Sequence, residues 1–299
     1  MQVTGANTTA ATARSRQDAS PSTPRASAPL VTRPAARDSF DAAPPARSNA
    51  PRYEITQGHT LSKADLAQIS KSNPELARSI GEAQQTYASH LAKGAKLVAT
   101  TSAGNGGKPV LTIVPPSLAN NTDPSKPYQV QVHYHGMRGR ASKPNADSPV
   151  PKRIAESFNQ QPPTVFVLPE WKQENDWTNV KNTGTTAADA LQGVQGQRAR
   201  TTVSGHSLGR AAIESAIRNN GLVTDRLDVQ DGFYKTSAAG PQLVNQWMKQ
   251  HPQADVRVLL TTTAMSDKKT IQRQAPLPDR VFVDLSREQN HYDAELKPW

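Results

Sequence analysis

The chain has 299 residues, enough for one large domain or two small ones, yet only 35% of it is hydrophobic and 5% aromatic, so part of it lacks the apolar content of a packed core. The net charge of +10 comes without Lys/Arg clusters interleaved with aromatics and without a zinc, helix-turn-helix or RNP signature, which argues against a nucleic-acid partner. The chain has no cysteine, which excludes disulfides, zinc-thiolate sites and a cysteine nucleophile, and no run approaches a membrane span in apolar length, so no integral membrane segment is expected.

Residues 1–52 hold seven prolines, seven arginines, three aspartates, no lysine and one aromatic, Phe40. Such a segment buries too little apolar surface to offset its ordering entropy and is expected to be a disordered leader. It has no acid before Asp18 and no apolar run of a secretory signal. That composition resembles the leaders of bacterial type III secreted effectors, which implies export into a host cell and a secretion chaperone. It fits equally an organellar transit peptide read by import machinery.

Residues 53–95 read as a helical lead-in. Ser62 precedes KADLAQIS, and Asn73-Pro74-Glu75 supplies a cap, a proline at the first helical position and an acid in the first turn. Leu76, Ala77, Ile80, Ala83, Tyr87 and Leu91 then form one apolar face that ends at Gly94. From residue 96 the chain alternates β-rich runs with amphipathic stretches. The runs 96–100 and 110–114 flank a glycine-rich turn and read as a hairpin. Strands are expected over 128–136, 164–171, 200–207, 226–234, 256–263 and 280–286. Helices are expected over 151–159, 185–194, 208–219, 241–250 and, weakly, 268–274. An antiparallel pair followed by repeated strand-helix units implies an α/β domain over 96–299, with a mostly parallel central sheet covered by helices on both faces.

The stretch Gly205-His206-Ser207-Leu208-Gly209 falls where a strand meets a helix. A G-x-S-x-G match alone is a weak signal, but that junction is where a sharp turn holds a serine hydroxyl out at the carboxyl edge of a sheet. The glycines on either side let strand and helix approach, and the Leu208 N–H opens the helix toward a developing oxyanion. A hydroxyl also needs a base. His291 follows the last expected strand, on the same sheet edge, and is the candidate; His206, His251 and the pair His133 and His135 read as structural or site-lining.

The strand-GHSLG-helix unit, the earlier strand ending in His135-Gly136, and a late histidine after the final strand resemble the α/β-hydrolase superfamily over roughly residues 96–299. The resemblance implies an α/β-hydrolase fold and acyl transfer to water through a Ser207-His291-acid triad, with no cofactor and no metal. It places an oxyanion-hole amide at Gly136 or Met137 beside that of Leu208. It also implies an acid in the loop occupied by Asp267, with Asp231, after the strand that follows the elbow, as the alternative. Either aspartate has an ordinary role open to it, Asp267 as a helix cap and Asp231 in a turn before Gly232. Arg210 stands where the family commonly has a small residue.

Pocket walls are expected from Tyr134, His135, Met137 and the 137–150 loop, His206, Trp171, Trp177, Phe233 and Tyr234, with the two tryptophans equally readable as core. No long apolar insertion is present to form a large lid. The expected partner is a small-molecule or acylated substrate, an ester before a peptide or amide, and a catalytically silent scaffold used for binding is the competing class.

Overall fold

The computed structural model describes residues 49–137, 139–171, 174–233, 239–261, 268–284 and 291–298. The leader up to residue 48, Tyr234 and Asp267 lie outside the described residues.

The lead-in is not wholly helical. It opens with β1 (Tyr53–Ile55), which pairs antiparallel with β2 (Lys96–Ser102). Three residues show no period, and nothing local marks them as a strand. Helix α1 (Lys63–Ser72) begins with a reciprocal cap in which Ser62 Oγ accepts from Asp65 N while the Asp65 carboxylate accepts from Ser62 N. Asn73 caps α2 (Pro74–Thr86) by accepting from Leu76 N at 2.9 Å. A short α3 (Ala88–Ala92) completes the segment.

The apolar face of α2 lies on the sheet. Leu97 and Ala99 of β2, and Leu111 and Ile113 of β3 (Lys108–Val114), pack with Leu76, Ile80 and Tyr87. Val98, Val110 and Val114 point to the opposite face and join a second cluster. The period of two along each strand thus feeds two cores, in which each fully buried Leu, Ile or Val contributes about 1.5–3 kcal/mol.

Beyond α4 (Pro116–Ala119) come β4 (Pro127–Tyr134), α5 (Val150–Ser157), β5 (Thr164–Pro169), α6 (Thr183–Leu191), β6 (Gln197–His206), α7 (Arg210–Arg218) and β7 (Arg226–Gln230). The remaining elements are α8 (Ala239–Gln250), β8 (Asp255–Leu260), α9 (Lys268–Gln274) and β9 (Phe282–Asp284). All nine strands form one sheet in the order β1-β2-β3-β5-β4-β6-β7-β8-β9, parallel from β5 to β9 and antiparallel among β1, β2, β3 and β5. Helices α2 and α5 cover one face, and α6, α7 and α8 the other. This is the mostly parallel, helix-covered α/β architecture that the sequence implies.

The sheet order reverses at β4. From β4 the chain crosses to β5 on one side, and the next strand, β6, pairs with β4 on the other. Crossovers leaving in opposite directions open a crevice at the carboxyl ends of β4 and β6. The chain's last described segment closes part of the neighbouring face: Arg257 on β8 pairs with buried Asp228 on β7 at 2.9 and 2.6 Å and donates to the carbonyls of Lys297 and Pro298.

Candidate active site

Strand β6 ends at His206, and a single 3-10 turn, Ser207–Gly209, leads into α7. Ser207 has φ +53°, a region that non-glycine residues enter at a cost of about 1–3 kcal/mol and hold only where surrounding structure forces it. The close approach of three backbones supplies that force. A Cβ on Gly205 would lie 2.7 Å from Gly209 O, and one on Gly209 would overlap Tyr134 O. A Cβ on Gly136 would lie 3.2 Å from the Ser207 Cβ, which places the His-Gly end of β4 against the elbow.

Two backbone donors belong to this corner. The Leu208 N–H lies in the first turn leading into α7, where amides have no partner within the helix. The second is set by His135, whose Nδ1 donates to the Gly136 carbonyl at 2.8 Å. A trans peptide points its C=O and N–H in opposite directions, so this bond aims the Met137 N–H away from His135. Burial pushes the His135 imidazole down to about 4, so at neutral pH it is an uncharged Nδ1–H donor.

His291, the candidate base, is held from the β7 side. His291 Nδ1 lies 2.6 Å from Asp231 Oδ2, with the imidazole 26% exposed and the aspartate 1%. Asp231 follows the last residue of β7 and has φ +47°, which turns the chain out of the strand four residues short of the expected end. Its carboxylate also accepts from the Thr261 hydroxyl. With its proton on Nδ1, His291 keeps Nε2 bare, the tautomer that accepts a proton from a serine. The carboxylate at His291 is therefore that of the alternative acid; Asp267, ranked first from the sequence, lies outside the described residues.

Ser207, His291, Gly136 and Met137 line one cavity of about 340 Å³, with apolar walls from Ala141, Val150 and Leu168 and polar ones from Arg140, Asn145 and Tyr292. The loop that roofs it is tied to α2 and β5. Thr86 Oγ1 donates to Ser142 O at 2.7 Å, Tyr87 Oη to Ala141 O at 2.8 Å, and Ser142 Oγ to Glu82 at 2.7 Å. Ser142 N donates to Glu170. Burial pushes the Glu170 carboxyl up to about 7 against the opposing effect of the Ser142 bonds.

Several expected wall residues are elsewhere. His135, His206 and Met137 line the cavity, whereas Tyr134, Trp171, Trp177 and Phe233 do not. Tyr134, the last residue of β4, alternates with His133 and so points to the other face. Trp171 and Trp177 fold inward and pack ring on ring at 4.9 Å, and Phe233 joins the same core. Arg210 runs along its helix to Glu214. Sequence reasoning missed Glu295, which is 3% exposed, lines the cavity and meets both His133 and His206. An isolated glutamate carries no local signal. Among the described residues no group of three or more His, Cys, Asp or Glu could hold a metal ion, and no helix is long and apolar enough to cross a membrane.

No protein-family model and no curated protein matches this chain. Solved structures similar to it include an S-formylglutathione hydrolase from Staphylococcus aureus, at 12% identity and TM-score 0.43, covering 63% of this chain and 86% of that one. A carboxylesterase from Bacillus subtilis is similar at 11% identity and TM-score 0.40, covering 75% of this chain and 94% of that one. An α/β serine hydrolase without a lid, from Xanthomonas campestris, is similar at 11% identity and TM-score 0.35, over 63% and 82% of the two chains.

Proposed function

We propose that this chain is a serine hydrolase that cleaves a carboxylic ester of modest size through an acyl-enzyme. Ser207 Oγ attacks the carbonyl carbon as His291 Nε2 takes its proton, and the carbonyl electrons move onto oxygen, facing the N–H groups of Leu208 and Met137. Collapse of the tetrahedral adduct expels the alcohol, which receives the proton from His291. A water deprotonated by His291 then attacks the acyl-serine, and a second collapse releases the acid and restores Ser207. Asp231 holds the His291 tautomer and stabilises the imidazolium formed in each half.

The observation that carries this proposal is one arrangement: a serine at φ +53° between two glycines, sharing a cavity with a histidine whose other nitrogen is 2.6 Å from a buried carboxylate. Backbone strain of this kind at a cavity mouth is expected where a side chain has to be presented. The cavity's size and partly apolar walls support a small acyl or alcohol group. Chromogenic esters of graded chain length, assayed beside peptide amides, test the substrate class. Ser207→Ala is expected to lower the ester rate on the order of a million-fold while the melting curve stays unchanged. Wild-type turnover in that variant contradicts the proposal.

A further inference from the structure

Beneath the proposed triad lies a second carboxylate–imidazole pair. His206 is 1% exposed, and its Nε2 is 2.9 Å from the main-chain oxygen of His291. A carbonyl only accepts, so that nitrogen carries a proton. The other nitrogen, Nδ1, faces Glu295 Oε1 at 3.5 Å. The rings of His206 and His291 lie 4.4 Å apart.

Glu295 is itself held on several sides. His133 Nε2 is 3.3 Å from its Oε1, and Ser148 Oγ donates to its Oε2 at 2.6 Å. The donor direction at His133 follows from the carboxylate itself: held ionised, it only accepts, so the nitrogen facing it carries a proton, while His133 Nδ1 lies 2.8 Å from Ser204 Oγ. His133 Nε2–H then points at the carboxylate. Burial alone would raise the Glu295 carboxyl, but the neighbouring His133 and His206 side chains outweigh it and hold the group well below its usual range. A buried acceptor of this kind fixes the orientation of whatever donates to it.

We propose that His206 and Glu295 are positioning residues for the base, clamping the main chain of His291 so that its ring stays between Asp231 and Ser207. The inference rests on the serine-hydrolase reading above. It gives the residue preceding the nucleophile a task of its own. The strand end that presents Ser207 also holds His291, so serine and base keep register. Removing the clamp displaces the base without removing it, and a misplacement of about 1 Å costs on the order of a hundredfold in rate.

The test uses substitutions that differ in reach. The amide nitrogen of a glutamine overlays the position of histidine Nε2, whereas that of an asparagine falls short of it. His206→Asn is expected to lower kcat roughly a hundredfold with KM within about threefold, and His206→Gln to stay within about tenfold of wild type. Glu295→Ala is expected to lower kcat about tenfold to a hundredfold, and the His206→Asn/Glu295→Ala double variant to be no worse than the worse single, because both act through one contact. On a His291→Ala background, His206→Asn is expected to change nothing further. Histidine nitrogen NMR on the wild-type protein supplies a readout independent of any variant, with a protonated His206 Nε2 expected. An asparagine variant at wild-type kcat, a glutamine variant no better than asparagine, multiplicative losses in the double variant, or an unprotonated Nε2 each overturns the clamp. Failure of the hydrolase reading is separate: it appears as undiminished turnover in Ser207→Ala.

Discussion

The serine half and the histidine half of the candidate site are held in place by different means. On the serine side, the β4, β6 and α7 segments meet through glycines: Gly205 and Gly209 leave no room for a Cβ without moving backbone, and one on Gly136 would press on the His206 and Ser207 side chains at 3.2 Å. On the histidine side, His291 sits in a 3-10 turn, His291–Ala294, fastened by side chains: His206 to the His291 carbonyl, Arg153 to the carbonyls of Asp293 and Glu295, and Asn145 to the Tyr292 hydroxyl at 2.7 Å. Backbone packing resists displacement in every direction, while a tether resists it in one. The serine is therefore the fixed point of the site, and the histidine is the part that tuning and damage reach first.

The sharpest way to break this contrast is Gly209→Ala. The added methyl overlaps the Tyr134 carbonyl, neither backbone can yield alone, and a stability loss of about 3 kcal/mol is expected, with activity lost alongside. Urea unfolding checks it. An alanine variant with wild-type stability and turnover would mean that the elbow is not locked by close approach.

Next comes Glu170, which ties the cavity roof through Ser142 N. Its carboxyl, ordinarily at 4.5, is raised to about 7 in the folded protein by burial, so between these values the native state holds a proton that the unfolded chain has released. Stability from this group is thus full below about 4.5, lost as pH rises through 7, and constant above, a change of about 3 kcal/mol at most. Buried His135 has the opposite slope, because its imidazole is lowered to about 4 and the native state binds fewer protons than the unfolded chain up to 6.5. The two slopes overlap, so wild type is compared with Glu170→Gln, which keeps the acceptor for Ser142 and removes the titration. Thermal melts across pH 4 to 8 are expected to show wild type losing ground to the variant as pH rises. A pH-independent difference contradicts the assignment.

Arg153→Met gives the smallest effect and bears directly on the tethered half. Loss of two donors to the turn is expected to lower kcat about tenfold while costing about 1–2 kcal/mol of stability. Steady-state kinetics beside a melt separates this outcome from Gly209→Ala, where fold and rate fall together. Equal patterns in the two variants would remove the distinction between the halves.

The same difference explains what was legible in the sequence. Gly205, Ser207 and Gly209 are readable because an elbow is a local device whose steric demands fall within five residues. The caps at Ser62 and Asn73 are readable for the same reason. The order β5-β4-β6 is not written in any one segment, yet it decides which loops share the crevice. Hence Asp231 and Asp267 are ranked from loop order alone, although contact with His291 depends on where β7 releases the chain. Trp171 and Trp177 are equally readable as pocket wall or core, because their packing with the α6 and α7 core is a tertiary event. Glu295 is invisible for the same reason: its partners lie on β4, β6 and the roof loop, 162, 89 and 147 positions away in sequence for His133, His206 and Ser148. Strand ends shift by a few residues where a special backbone angle intervenes, as at Asp231.

The most direct test of Asp231 as the acid is the rate at which a fluorophosphonate labels Ser207, followed by intact-protein mass spectrometry near neutral pH in wild type, Asp231→Asn and Asp267→Asn. Attack on the phosphorus needs only the nucleophile, its base and the group that orients the base, so substrate preference does not enter. Asp231→Asn is expected to slow labelling by up to about ten-thousand-fold through the wrong imidazole tautomer, with Asp267→Asn near wild type. Rapid labelling of Ser207 in Asp231→Asn together with a crippled Asp267→Asn would contradict the assignment of Asp231 as the acid.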